Sequence, residues 1–259
     1  MDAVLIVAGL DPSGGAGLLA DALVVRAHAL HPAAVATSLT VQDSARCHAQ
    51  EPVDPSLVTS QIEALADDLP IKAVKVGMLG SSAVARAVAE ALRPLAKAGT
   101  PIVVDPVLRA SRGADLLDGD PVEAYADLLP LATLLMPNRE EAATLAGSSV
   151  EDDGGRKRAA RTLRALGPRA VLIKGGHFTG DTITDLLDDG GAEPLAITAP
   201  RRAGPSVHGT GCALSTDIAC FLAKGVALRE AVTQACARMQ KRIEGARAVG
   251  KGRPFLGEP

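Results

Sequence analysis

Short apolar runs that stop at a glycine or a charged residue, with helix-like stretches between them, recur along most of this 259-residue chain. Residues 3–8, 73–77, 102–105, 133–136 and 170–174 have strand length and are apolar at nearly every position, as strands covered on both faces are. Between and around them, residues 18–29, 55–69, 81–98, 121–128, a segment from about Arg139, and 156–166 read as helices, and 33–41 as a further strand. Asp54 stands where an N-cap belongs and Pro55 at the first helical position. Alternation of this kind predicts an α/β fold with a central, mostly parallel sheet and helices on both faces, because parallel neighbours need a crossover. Residues 182–198 depart from it: two β-like runs around Asp188-Asp189-Gly190-Gly191 predict a hairpin, and helices over 208–224 and 228–246 follow. The acidic, glycine-containing stretch 151–155 reads as a solvated loop, so residues 1–259 are expected to form one domain.

Composition removes several functions. Lys and Arg do not cluster and net charge is −3, against a protein that neutralises nucleic-acid phosphates. Aromatic residues are 2% of the chain, too few for a base-stacking platform. Cys47, Cys212, Cys220 and Cys236 show neither C-x-x-C spacing nor zinc-ligand partners, and no apolar run approaches the ~20 residues that span a bilayer. A cytoplasmic protein with reduced thiols is expected, with no nucleic-acid or membrane partner.

In open α/β sheets, ligands bind beyond the carboxyl ends of the strands. Five unusual segments fall at such ends or at a helix start. Gly-Leu-Asp-Pro-Ser-Gly-Gly-Ala-Gly (9–17) follows the first strand, where glycines admit a ligand to backbone amides; a tight turn without a ligand is the plainer alternative. It has neither Walker A nor G-x-G-x-x-G spacing, which argues against a dinucleotide-dependent oxidoreductase. His-Gly-Thr-Gly-Cys (208–212) opens a helix whose free amides suit a transferring phosphoryl group, and Cys212 there is expected to have a lowered pKa. Asn138 and Glu141 form a candidate capping box, or face a hydrated Mg²⁺. Asp105 ends an apolar strand; Lys174 ends another, suited to nucleotide phosphates or to pairing with Asp105 or Glu141. His177 reads as a structural or exposed histidine.

Together with Val-Lys-Val-Gly-Met-Leu-Gly (74–80) and Val-Asp-Pro-Val (104–107), these segments resemble, end to end, the hydroxymethylpyrimidine/phosphomethylpyrimidine kinases of the ribokinase-like superfamily. The resemblance implies ATP- and Mg²⁺-dependent phosphorylation of 4-amino-5-hydroxymethyl-2-methylpyrimidine, then of its monophosphate, for thiamine biosynthesis. It puts Gln42, Gly9, Asp11, Met78 and Val107 at the acceptor, and Lys174, Asn138 and Asp105 at ATP. Asp105, Asn138 and Glu141 would organise Mg²⁺, and Gly209, Thr210, Gly211 and Cys212 the anion hole. A homodimer is implied by the family alone. The chain departs from the family pattern at 19–24, at Thr40-Val41-Gln42-Asp43, at Leu108-Arg109, at Met136 and in the tail from Val249. Asp43 adds a negative charge beside a phosphorylated acceptor and calls for a cation such as Arg46 or Arg109. A pyridoxal or pyridoxine kinase of the same superfamily and a non-catalytic pyrimidine sensor are the alternatives.

Overall fold

The computed structural model describes residues 1–109 and 116–257. Its central sheet contains β1 (Ala3–Leu10), β2 (His31–Gln42), β3 (Cys47–Pro52), β4 (Ile71–Val76), β6 (Ile102–Val104), β8 (Leu134–Leu135), β9 (Ala170–Ile173), β10 (Thr182–Asp188) and β11 (Leu195–Pro200), while β5 (Gly80–Ser81) and β7 (Leu117–Asp118) pair separately. The helices are α1 (Gly17–Ala27), α2 (Pro55–Asp68), α3 (Ser82–Lys97), α4 (Pro121–Tyr125), α5 (Arg139–Ala146), α6 (Asp153–Ala165), α7 (Thr210–Ala223) and α8 (Leu228–Glu244). Strand order is β11-β10-β9-β8-β6-β4-β1-β2-β3. The six strands from β9 to β2 are parallel to their neighbours; β10, β11 and β3 are the antiparallel additions at the two edges.

Period-2 alternation sends each strand's apolar side chains to both faces. Leu5 and Val7 of β1 join the core under α2, α3, α4, α5 and α6, whereas Val4 and Ile6 join the core under α1, α7 and α8. Asp54 caps α2 as expected, accepting from the amides of Ser56 at 2.9 Å and Leu57 at 3.2 Å. The 182–198 hairpin is present, with β11 running two residues further.

Several boundaries move for local reasons. α1 stops at Ala27, since Ala29 adopts a left-handed φ of 57°. The helix expected over 121–128 ends at Tyr125 and gives way to a 3₁₀ turn at Leu129–Leu131. Residues 153–155 are not loop: Asp152 accepts from the Gly155 amide at 2.6 Å and starts α6 there, so capping outweighs the two glycines. β3 was not expected from the sequence; it is an edge strand, without β-branched residues, that continues from β2 as a hairpin.

The parallel ladder continues past the strand ends. Gly77 donates to the Val7 carbonyl at 2.9 Å, Asp105 to Val76 at 2.9 Å, Met136 to Val104 at 2.8 Å and Lys174 to Pro137 at 2.9 Å. These bonds line up the ends of β1, β4, β6, β8 and β9, so motifs scattered over the sequence share one edge.

Candidate active site

At the β6–β9 end of this edge, the Lys174 ammonium lies 2.5 Å from Asp105 Oδ1 and 3.6 Å from Glu141 Oε2. The pairing foreseen as an alternative is therefore present. Burial pushes the Glu141 carboxyl up to about 7, with Lys174 pulling it back and Asp105 adding to the rise. Asn138 and Glu141 form the complete capping box of α5: the Glu141 amide donates to Asn138 Oδ1 at 2.9 Å, and the Asn138 amide to Glu141 Oε2 at 2.7 Å. The turn after Lys174 is fixed by Asp185, whose Oδ1 accepts from the Gly175 amide at 2.6 Å.

The first turn of α7 meets this cluster. A Cβ on Gly211 would stand 3.3 Å from Asp105 Oδ2 and 3.4 Å from Lys174 Nζ. Gly209 has φ +80°, and a Cβ there would overlap the Gly15 carbonyl oxygen, so the 9–17 loop closes on the turn from the other side. No side chain caps α7, and Gly209 to Cys212 are only partly buried, which leaves the first amides open to an acceptor. The expected low pKa of Cys212 is overturned. Burial pushes the thiol up to about 11, and Asp21 and Asp105 add to the rise; Lys75 and the Gly17 amide oppose it without prevailing. The helix field is too small to offset removal of water from a thiolate.

On the β1–β3 side, Met78 covers Gly9, where a Cβ would approach its Sδ to 2.8 Å. His208 Nε2 lies 2.9 Å from Asp11 Oδ2 and 3.2 Å from the Gln42 amide. The Asp11 carboxyl is held below its usual range by His208 and Ser13, against the effect of burial. An ionised Asp11 only accepts, so Nε2 carries the proton and cannot also accept from Gln42. The Gln42 amide therefore turns its oxygen to His208 and its NH₂ away, O and N being interchanged by a half-turn. Val107 sits at the other end, its amide bonded to the Asp105 carbonyl at 2.8 Å. Asp43 Oδ2 lies 2.8 Å from His48 Nε2, and its Oδ1 accepts from the Ala45 and Arg46 amides at 2.7 and 3.0 Å. His177 is exposed and pairs with Glu140 at 2.7 Å.

Residues 247–257 tie the two sides together. The Gly252 amide donates to Ser44 Oγ and the Arg253 amide to the Ser44 carbonyl, both at 3.0 Å, at the tip of the β2–β3 hairpin. The His208 amide donates to the Pro254 carbonyl at 2.9 Å, and Phe255 packs on the His208 ring with centroids 5.8 Å apart.

Among the described residues no three acidic, histidine or cysteine side chains converge to hold a metal directly. The Tyr125 hydroxyl is buried without a hydrogen-bond partner, and its pKa is raised by burial and by the nearby Glu141 and Asp105. Asp105 and Glu141, two carboxyl groups without a third ligand among the described residues, fit a hydrated Mg²⁺ held through its waters, not a directly ligated ion.

Sequence reasoning gave no role to Tyr125, Asp185, Lys75 or Asp21, nor to the His208 side chain. A usable signal existed for two of them: Lys75 inside an apolar strand run and Asp21 on an apolar helix must each have a buried partner.

The pattern of the phosphomethylpyrimidine kinase family matches residues 11–255. The hydroxymethylpyrimidine/phosphomethylpyrimidine kinase of Streptomyces coelicolor is 42% identical over 235 residues, which are 90% of this chain and 85% of that protein. The thiamine biosynthesis bifunctional protein ThiED of Geobacter sulfurreducens is 38% identical over 96% of this chain, which spans 50% of that protein's length. Among solved structures, the ADP complex of Bacillus subtilis pyridoxal kinase gives a TM-score of 0.88 at 26% identity, covering 100% of this chain and 97% of the other. Phosphomethylpyrimidine kinase of Clostridium difficile gives 0.77 at 31% identity, covering 94% and 99%. With the sheet order, the edge motifs and these likenesses in agreement, the chain belongs to the phosphomethylpyrimidine kinase family.

Proposed function

We propose that residues 1–259 act as one kinase domain that uses ATP and Mg²⁺ to phosphorylate 4-amino-5-hydroxymethyl-2-methylpyrimidine and then its monophosphate. The observation that carries the reading is the uncapped α7 turn, flanked by Lys174 and Asp105 on one side and by the 9–17 loop on the other. Lys174 neutralises ATP phosphates, and the amides of Gly209 to Cys212 receive the phosphoryl group in transfer. Bound Mg²⁺ supplies charge neutralisation; Asp105 and Glu141 hold its waters, and Asn138 sets Glu141 through the capping box. Gly9 and Met78 receive the face of the acceptor ring, Val107 borders it, and the NH₂ of Gln42, aimed by His208 and Asp11, donates to its edge. Loose phosphoryl-transfer transition states depend on position and charge, which is what these residues supply.

The test is ADP release with the pyrimidine alcohol, its monophosphate and pyridoxal offered in parallel. Turnover of both pyrimidines above pyridoxal is expected. Preference for pyridoxal would establish the second reading, which the TM-score of 0.88 to a pyridoxal kinase supports; binding of the pyrimidine without turnover would establish a sensor.

Leu39 and Val41 are exposed on one side of the β2–β3 hairpin and are proposed as the contact of a homodimer, which a monomeric mass in sedimentation would refute. Among the described residues no helix is long and apolar enough to cross a membrane, and we propose a cytoplasmic location.

A further inference from the structure

Beneath the α7 turn lies an ion pair that none of these roles uses. Lys75 on β4 and Asp21 on α1 are both fully buried, with Nζ 2.5 Å from Oδ2. Gly77 leaves room for the ammonium: a Cβ there would stand 2.7 Å from Nζ. The other Asp21 oxygen lies 2.8 Å from Thr216 Oγ1, on α7. That hydroxyl is also 2.9 Å from the Cys212 carbonyl, which the Ser215 hydroxyl reaches at 2.8 Å. Threonine has one hydroxyl proton and a carboxylate is the stronger acceptor, so Thr216 donates to Asp21 while Ser215 serves the carbonyl. The result is a polar pin from β4 through α1 into α7, four residues below Cys212.

Stability does not explain such a pair. Buried charges replaced together by well-packed apolar residues commonly leave a protein as stable or more so, whereas the best-attested use of a buried polar contact is to fix register. Around the pin, Ala213, Leu214, Ile218 and Ala219 on the buried face of α7 are apolar side chains without directional bonds. The other polar anchor of the helix is Asp217, fully buried, 2.7 Å from His28 Nε2 and 3.2 Å from Arg242 Nε, one residue further from the phosphoryl-receiving turn than Thr216. A small slide or rotation of α7 would change the approach of Gly211 to the Asp105–Lys174 pair, which is close enough that a Cβ there would stand 3.3 Å from Asp105 Oδ2 and 3.4 Å from Lys174 Nζ. We propose that Lys75 is a positioning residue that acts through Asp21 and Thr216 to hold the first turn of α7 in register with Lys174 and Asp105. This rests on the phosphoryl-receiving role given to that turn above.

Two variants test it: Lys75→Met with Asp21→Leu, which removes both charges together, and Thr216→Val, which keeps the ion pair and the side-chain shape. The double variant is expected to retain the wild-type urea midpoint and ATP KM within twofold or so, while kcat falls on the order of 10²-fold, the scale of an ångström of misplacement. Thr216→Val is expected to lose about tenfold in kcat by the same reasoning. Hydrogen exchange reads the register without turnover: the amides of residues 213–216, the first in α7 with carbonyl partners in the preceding turn, should exchange at least ~10-fold faster in both variants, with residues 218–222 unchanged, as for a local opening. Wild-type kcat and wild-type protection in Thr216→Val would overturn the proposal, whether or not the double variant folds. A wild-type chain that turns over none of the acceptors would instead sink the kinase reading, and the exchange data would still judge the register.

Discussion

Were Cys212 the base of the alcohol step, its protonation would give the two phosphoryl transfers different pH profiles. With its thiol pushed up to about 11, the thiolate fraction is roughly 10⁻⁴ at pH 7 and roughly 10⁻² at pH 9, and only the thiolate removes a proton. The alcohol step needs proton removal; the second step attacks with a phosphate oxygen whose last ionisation lies near pH ~6. If Cys212 is the base, kcat/KM for the pyrimidine alcohol should rise about 100-fold from pH 7 to pH 9, because the thiolate fraction does. For the monophosphate it should be nearly flat. Cys212→Ala should abolish the slope of the first profile and leave the shape of the second. Both follow from initial rates of ADP release at limiting acceptor. An alcohol profile that levels off below pH 8.5, or a slope that survives Cys212→Ala, would refute the reasoning.

Lys174→Met should leave Asp105 and Glu141 buried together without their cation and lower the unfolding free energy by about 3–5 kcal/mol in urea; an unchanged midpoint would show that the pair does not hold this edge. Gly209→Ala imposes ~1 kcal/mol of left-handed strain, before the overlap with the Gly15 carbonyl, and should cut kcat more than tenfold or so. Wild-type melting and rate would contradict the close approach described. Arg229 holds the Asp189 carboxyl down to about 2 from an ordinary 3.8, so its stabilisation is complete above the ordinary value and disappears as pH falls through about 2. Asp189→Asn should therefore lower the urea midpoint only slightly at pH 6, because the Arg229 partner is exposed, and converge on the wild type below pH 2. A difference independent of pH would show another cause.

The order of motifs along the site was legible in the sequence because a parallel sheet brings every strand's carboxyl end to one edge. Asp105, Asn138, Glu141, Lys174 and Gly209 to Cys212 could thus be grouped before their distances were known. Contacts between distant segments could not: Lys75 and Asp21 are 54 residues apart and His208 and Asp11 are 197 apart, and neither local period nor capping chemistry encodes such pairings. The Cys212 thiol was misjudged for a related reason. The helix start is visible in the sequence, but the packing that removes water from the thiol is set by α1 and β4. β3 escaped notice because an exposed edge strand needs little apolar alternation to pair with β2.

The latch of residues 247–257 on Ser44 and His208 bears on synthesis. The β2–β3 hairpin and its neighbours leave the ribosome early, and they contain most of the acceptor side. Its tip stays unfastened until residues 250–255 clear the exit tunnel, more than 200 positions later. A chain cut after residue 246 would keep every described strand and helix yet leave the tip of β2–β3 and the His208 turn unjoined, so the scaffold and the fastening of its acceptor side depend on different stretches of sequence.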